Sequence, residues 1–495
     1  MREFIATLGG CVALAGWVPA SAFDPLLAER SVSSTPSANI FDGGACSPRA
    51  VPTPVHLQDV VEWALCSDPK TRSAWAEVKI QAAQVGQRRA AFLPTVTANW
   101  QGTRDIANDR VSDQPRFESN SVTNMQNITA SLNWVLYDFG GRTAGLRSAT
   151  EMLAAAQANQ HALLQTTFAN VGKHFYAAQA AYGELRSATE IEETARSSVA
   201  AATARVSKGI AAISDQLQAQ SAHAEAVIHR TKAAIALRSA LGMLASDMNL
   251  LPSASIVLPD VTDGVEPNRM FTESVDALIQ AALGDSPRVR AAEANVRAAR
   301  ANAVRVGSEG APRLSLIGQY NFNNRPASLQ TGSPVLPAMH RAWYVGLQLT
   351  IPIFEGFLRS YQVKQANAQT EQQSESLAAA RRQVGLDVWN DYHAVKGATA
   401  NLRQSAALLE LSQQAYDVAL HRYRSGVGEV LELLNSQSAL ARAKQQRIQA
   451  QTEWKIARLQ LASSLGKLDM ASLDGAEVSR GPAFGVKNTE TALLP

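Results

Sequence analysis

At 495 residues the chain has room for two or three ordinary domains. Its 46% hydrophobic and 18% charged residues, with a mean hydropathy of −0.12, exclude a disordered protein. Because 46 Lys and Arg nearly balance 43 Asp and Glu, the formal charge is only +3; nothing calls for a nucleic-acid partner, and that class is set aside.

The chain opens with a short charged start and an apolar run that ends at Ala20-Ser21-Ala22, the small-x-small form cut by signal peptidases. Residues 1–22 are therefore expected to be an export signal. Leu8-Gly9-Gly10-Cys11 also resembles a lipoprotein box, which would leave Cys11 as an acylated N terminus, although the apolar segment before it is short for a signal core. No later stretch approaches the ~20 uninterrupted apolar residues of a membrane helix, so any membrane crossing has to use strands. Cleavage after Ala22 leaves Cys46 and Cys66 in an oxidising compartment. A bond between them would tie the N-terminal extension 23–56 to the first helix; the alternative is two unrelated small residues. There is no Cys-x-x-Cys pair for redox or zinc chemistry.

From there the chain is one unit written twice. Ala64-Leu-Cys-Ser-Asp-Pro69 recurs as Ala282-Leu-Gly-Asp-Ser-Pro287, and Pro94 recurs as Pro312, both displaced by 218 residues. Leu132–Gly141 matches Leu347–Gly356 at 215, and Arg205-Val-Ser-Lys-Gly209 with Asp215 matches Arg422-Tyr-Arg-Ser-Gly426 with Glu432 at 217. The copies span 57–250 and 273–467, with a Pro-containing linker over 251–272 and a tail over 468–495. Each begins with a capping side chain before a proline, Asp68-Pro69 and Ser286-Pro287, which marks a helix start. Strands follow, predicted from period-two alternation at about 95–104, 126–139, 313–323 and 343–354. Ile128, Ala130, Leu132 and Trp134, for example, alternate with Asn127, Thr129, Ser131 and Asn133.

Long helices come next, over about 141–247 and 357–466, reversed at Gly209 and Gly426. From 141 to 209 and from 356 to 426 there is no proline, so single helices of roughly 100 Å are expected at 1.5 Å per residue. In the second copy Val388, Tyr392, Val395, Thr399, Leu402, Ala406, Leu409, Gln413, Tyr416, Leu420 and Tyr423 step by fours and threes, a heptad seam. Four strands of about ten residues suit a tilted membrane crossing, but the smallest barrels need about eight strands. Open edges in lipid cost several kcal/mol per unsatisfied group, so several chains have to share one barrel. The expected fold class is mainly α with a membrane β-barrel contribution, built from a duplicated helix-strand-strand-long helix-helix unit.

The repeat, the junction Ile351-Pro-Ile-Phe-Glu-Gly-Phe357 and above all Arg422-Tyr-Arg-Ser-Gly426 with Glu432-Leu-Leu-Asn-Ser-Gln437 resemble the TolC family of outer-membrane efflux proteins. The resemblance implies a homotrimer whose twelve-stranded barrel sits in outer-membrane lipid above a periplasmic coiled-helix tunnel. It also implies two partners: a periplasmic adaptor (membrane fusion) protein, and an inner-membrane ABC or proton-driven pump. The family includes exit ducts of type I protein secretion, among them the outer-membrane subunit of the adenylate cyclase toxin exporter, and of multidrug efflux. Carried over by position, the tip turns and adaptor contact fall on Arg205, Gly209, Arg422 and Gly426. Tyr423 falls on the gate tyrosine, and Glu432, Asn435 and Asp215 fall on acidic positions of the aperture. Two positions depart from the pattern: Gly428 stands where the family has its gate arginine, and Asn435 is neutral, so a differently held closed state is expected.

No His-Glu-x-x-His, phosphate-cradling Gly-x-x-x-x-Gly-Lys-Ser/Thr or Gly-x-Ser-x-Gly occurs, and His174, His223 and His229 lack ligand spacing. No enzyme, cofactor or metal role is expected. The alternative to a channel is a periplasmic coiled-coil adaptor or scaffold.

Overall fold

The computed structural model describes residues 24–37, 46, 53–109, 112, 119–259, 274–325, 336 and 338–468. The export signal with Cys11, most of the linker and all but the start of the tail lie outside them. Two runs of elements follow one another. The first is α1 (Leu57–Ser67), α2 (Pro69–Ala90), β1 (Thr95–Asp109), β2 (Ser119–Tyr137), α3 (Gly141–Ser207) and α4 (Ile213–Asp247). The second is α5 (Val275–Asp285), α6 (Pro287–Ser308), β3 (Arg313–Asn323), β4 (His340–Thr350), α7 (Leu358–Arg424) and α8 (Val430–Ser464). Matching helices have equal lengths: 11, 22, 67 and 35 residues. The prolines take the first position of α2 and α6, where a missing N–H removes no intrahelical bond. Asp68 accepts from the Lys70 amide at 2.8 Å, and Ser274 caps α5 through the Ala277 amide.

The chain divides into two compact units. The first holds residues 24–32, 79–154 and 293–376 and contains the sheet. Its four strands run antiparallel in the order β1-β2-β3-β4, with Thr95 opposite Asn133, Trp134 opposite Leu316 and Arg313 opposite Thr350. Alternation sorts the faces. One face carries Val96, Trp100, Ile128, Leu132, Trp134, Leu314, Tyr320, Trp343, Val345, Leu347 and Leu349. Many of these are open, with Trp100 69% and Trp343 76% exposed. The opposite face carries Thr97, Asn99, Asn127, Thr129, Ser131, Gln319, Asn321 and Gln348. There Asn321 donates to Asn127 Oδ1 at 2.8 Å and Thr129 Oγ1 at 3.1 Å, and accepts from Asn323 at 2.8 Å.

Three features of this unit depart from the sequence expectation. β1 runs to Asp109 and β2 starts at Ser119, because backbone pairing carries through polar residues that show no alternation. β4 starts earlier, at His340, and ends at Thr350 rather than 354, where Pro352 cannot extend a ladder. The strand match at 215 residues is two out of step with the backbone, since α3 and α7 start 217 apart. The positive-φ pairs show the same step: Phe139 and Gly140 in the first run, Gly356 and Phe357 in the second. The longer connection after β4 absorbs the difference.

A β-bulge interrupts β2 between Val135 and Tyr137. Its loosened carbonyls are met by Arg142, whose guanidinium reaches Val135 and Leu136 and also pairs with Asp138 at 3.1 Å.

The second unit holds residues 33–78, 155–292 and 377–468. One apolar cluster packs Val60, Val61 and Leu65 of α1 against Leu164, Phe168 and Phe175 of α3 and Leu244 of α4. The other packs Leu278 of α5 against Val388, Val395 and Leu402 of α7 and Trp454 and Leu461 of α8. The expected seam of α7 is buried at Val388, Val395, Leu402, Tyr416 and Tyr423 and half-buried at Tyr392, Thr399, Leu409, Gln413 and Leu420. Its exception is the exposed Ala406, and a second buried line runs beside it through Ala398, Ser405, Ser412 and Ala419. Arg447 of α8 reaches this second line, donating to the Leu402 carbonyl at 2.6 Å and to Ser405 Oγ at 3.4 Å. A heptad read by hydrophobicity alone passes over serines, whose hydroxyls can bond within their own helix, as Ser405 does to Leu402 at 2.9 Å.

Cys46 and Cys66 form a disulfide in this unit, and the Ser37 hydroxyl lies 3.2 and 3.3 Å from the two sulfurs. Trp75 donates to the Ser33 carbonyl, and the buried Gln160 to the Pro36 carbonyl. In the first unit the earlier part of the same segment is held by Arg89, which donates to the Leu26 and Leu27 carbonyls.

Candidate functional site

The turns that end α3 and α7 are built alike. At the first, the Gly209 amide donates to Val206 O and the Ile210 amide to Arg205 O. At the second, Gly426 donates to Tyr423 O and Val427 to Arg422 O. Each is a Schellman end, which requires a left-handed residue just past the helix; Gly209 has φ +69° and Gly426 φ +82°. Such an end satisfies carbonyls that the helix leaves open and turns the chain sharply into α4 or α8.

The structure brings Arg205 and Tyr423 together. Arg205 Nη1 donates to the Tyr423 carbonyl at 3.0 Å, and the guanidinium carbon lies 4.7 Å from the ring centroid. Tyr423 is only 4% exposed, packed with Tyr416, Val430, Leu433 and Leu440, and its hydroxyl is buried without a hydrogen-bond partner. Burial pushes the Tyr416 hydroxyl above its ordinary pKa, against the pull of Arg424. Gly428 closes on the same turn. Its amide donates to Arg422 O at 3.0 Å, and a Cβ there would fall 2.9 Å from the Tyr423 nitrogen and 3.0 Å from Arg422 C and Cβ. An arginine in the conformation of this turn has no room at 428.

The remaining aperture candidates are spread out. Arg422 and Glu432 form an ion pair at 3.5 Å with both side chains about half exposed. Asp215 and Glu432 occupy the first turns of α4 and α8, where a carboxylate suits the helix N terminus whatever else it does. Asn435 is exposed. Among the described residues, no group of three or more His, Cys, Asp or Glu could hold a metal, and no helix is long and apolar enough to cross a membrane.

The sequence matches the family described as "Outer membrane efflux protein" over residues 60–245 and 278–467. The chain belongs to that family. It is 30% identical over 457 residues to a protein named CyaE from Bordetella pertussis, covering 90% of this chain and 92% of that protein. It is 24% identical over 429 residues to the outer membrane protein TolC of Vibrio cholerae, covering 83% and 91%. Among solved structures, the outer membrane protein VceC from Vibrio cholerae superposes with a TM-score of 0.69 at 18% identity, over 83% of this chain and 96% of that one. CusC gives 0.71 at 17%, over 88% and 97%. As an outer membrane efflux protein the chain is a channel component and not an enzyme, located in the outer membrane of a Gram-negative bacterium with its helices in the periplasm. The adaptor or scaffold alternative finds no support among these relatives.

Sequence reasoning passed over the ionic cluster at the strand-to-helix junctions of the first unit. Arg359 bonds Glu309 at 2.7 Å and Glu355 at 3.3 Å, Arg305 pairs with Glu309, and Asp138 pairs with Arg142. Opposite charges four residues apart at 138/142, 305/309 and 355/359 were the available signal. The Arg205–Tyr423 pair, 218 positions apart, leaves no comparable trace in one sequence.

Proposed function

We propose that three copies of the chain close a twelve-stranded barrel whose apolar face meets lipid and whose polar face lines a water-filled lumen, with α3, α4, α7 and α8 continuing it as a periplasmic tunnel. The observation that carries this reading is the four-stranded sheet, open at β1 and β4, with one face of exposed Trp, Val and Leu and the other of Asn, Thr, Ser and Gln. Four strands are half the smallest closed barrel, and unpaired edges are not tolerated in hydrocarbon. The tip turns at Gly209 and Gly426, with Arg205 and Arg422, form the periplasmic aperture and contact an adaptor protein, and Tyr423, Asp215, Glu432 and Asn435 shape its entrance. Nothing in the conduit supplies energy, so an inner-membrane pump drives export. That pump also sets the cargo, a protein in type I secretion or small molecules in multidrug efflux.

The test is the mass of the protein extracted from outer membranes in detergent. Three chain masses per particle, together with conductance in planar bilayers, are expected. A monomer, or release from membranes without detergent, overturns the proposal.

A further inference from the structure

We infer that Arg205 is a clamp that holds the two helical hairpins together at their tips, acting through the ring and carbonyl of Tyr423 and not through its hydroxyl. The inference rests on the proposal that these tips form the aperture. Three observations on the same turn lead to it.

The first is the double contact. The guanidinium of Arg205, in the last turn of α3, bonds the Tyr423 carbonyl at 3.0 Å and covers the Tyr423 ring at 4.7 Å, in the last turn of α7. A cation suits this place twice over, since the carbonyl belongs to the negative end of the α7 dipole and the ring face is electron-rich. The second is the state of the tyrosine. Its hydroxyl is buried and unpartnered while its ring is fixed in the α7/α8 seam, so the polar atom does no holding. The third is Gly428. Without room for any side chain there, the turn that follows α7 offers no cation of its own against the Tyr423 backbone, and the hairpin of the first repeat supplies it.

Farther along α3 a further tie joins the same hairpins, Glu190 with Lys444 of α8 at 3.0 Å. Arg205 stands fifteen residues nearer the turn, so parting the tips has to break its two contacts while the Glu190 pair can stay closed. An adaptor or cargo that opens the aperture would then compete for a guanidinium, which acidic or aromatic groups can do.

The experiment compares Arg205→Met, Arg205→Lys, Tyr423→Phe and Tyr423→Leu in the full-length protein. Two readouts are used: open probability in planar bilayers, and amide hydrogen exchange over residues 422–428. Arg205→Met is expected to raise both by roughly tenfold or more, since it removes a charged hydrogen bond and a cation–π contact together. Tyr423→Leu keeps the carbonyl but removes the ring contact and leaves a void among Tyr416, Val430, Leu433 and Leu440, so its rise sets an upper bound on the share of the ring contact. Tyr423→Phe keeps the ring and the carbonyl, and its exchange over 422–428 is expected to rise far less than that of Arg205→Met. Arg205→Lys keeps the charge without the planar fork and falls between wild type and Met; it also decides the matter should the Met variant fail to assemble. The clamp is overturned if Arg205→Met and wild type exchange alike, or if Tyr423→Phe loosens the tip as much as Arg205→Met, which would place the holding contact on the hydroxyl. A wild-type protein that does not conduct refutes the aperture reading, while the exchange measurement still judges the clamp.

Discussion

Replacing Gly428 by alanine perturbs the tip by one methyl group, and its cost can be worked from the turn itself. The added Cβ would sit 2.9 Å from the Tyr423 nitrogen and 3.0 Å from the Arg422 carbonyl carbon, both backbone atoms that cannot swing aside. Overpacking of this kind costs about 1–3 kcal/mol, and the displaced turn also weakens the bond from the Gly428 amide to Arg422 O, another ~1 kcal/mol. A local loss of about 3 kcal/mol corresponds to roughly a hundredfold faster amide exchange at the turn. Gly426→Ala is the internal comparison. Nothing lies within 4 Å of its added Cβ, so only the left-handed φ of +82° is charged, at about 1–2 kcal/mol and roughly tenfold in exchange. Hydrogen exchange followed by mass spectrometry over 422–433 reads both, and the heat-dissociation temperature of the oligomer should stay put, because tips open locally without global unfolding. If Gly428→Ala exchanges like wild type, or more slowly than Gly426→Ala, the close approach at Gly428 is not a real constraint. Gly428→Arg should loosen the tip further still, and not latch it.

Removing the disulfide by Cys46→Ser should free the segment around Ser37; the cysteines are 20 positions apart, so closure contributes about 3 kcal/mol, and trypsin should cut the N-terminal extension markedly faster than in wild type. Equal cleavage would show that Arg89, Trp75 and Gln160 hold the segment unaided. Asn321→Ala deletes three side-chain bonds on the polar face of the sheet and should lower oligomer stability by about 1–2 kcal/mol, read as a lower heat-dissociation temperature on gels. Asp391 is expected to show a distinctive pH response. Burial raises its folded pKa above the 3.8 of the unfolded chain, against a hydrogen bond from Ser464, so between the two values the folded state keeps a proton that the unfolded state has lost. Its contribution to stability therefore falls as pH rises through that window. Asp391→Asn should raise the unfolding temperature at pH 7 and give no gain below pH 3.8; a gain that persists in acid would contradict the assignment.

What could be read in the sequence was whatever repeats with a period or bends the backbone. Alternation at Leu314, Leu316, Tyr320 and Phe322 shows a strand because one face is apolar, and Pro69, Pro287, Gly209 and Gly426 mark helix starts and reversals because each has a backbone requirement. Where the ladder runs on past Arg104, the sequence shows no apolar-polar alternation and the strand looks shorter than it is. Ser405 and Ser412 hide for a different reason: they are buried although polar, so hydrophobicity does not pick them out. At the tip turns, the family resemblance points to Tyr423 and Arg205 separately. Their pairing emerges only in the fold, since the contact joins a side chain in one copy of the repeat to a main-chain carbonyl in the other, and a carbonyl has no sequence identity.

The bare strand edges of β1 and β4 have a consequence for making the protein. Among the described residues neither edge has a neighbouring strand, and each can accept an extended chain, so a molecule short of the proposed trimer would zip onto a stranger as readily as onto another copy. Yield should accordingly depend on how fast newly exported chains meet one another relative to how fast they accumulate, and slowing synthesis should rescue more material than strengthening any helix.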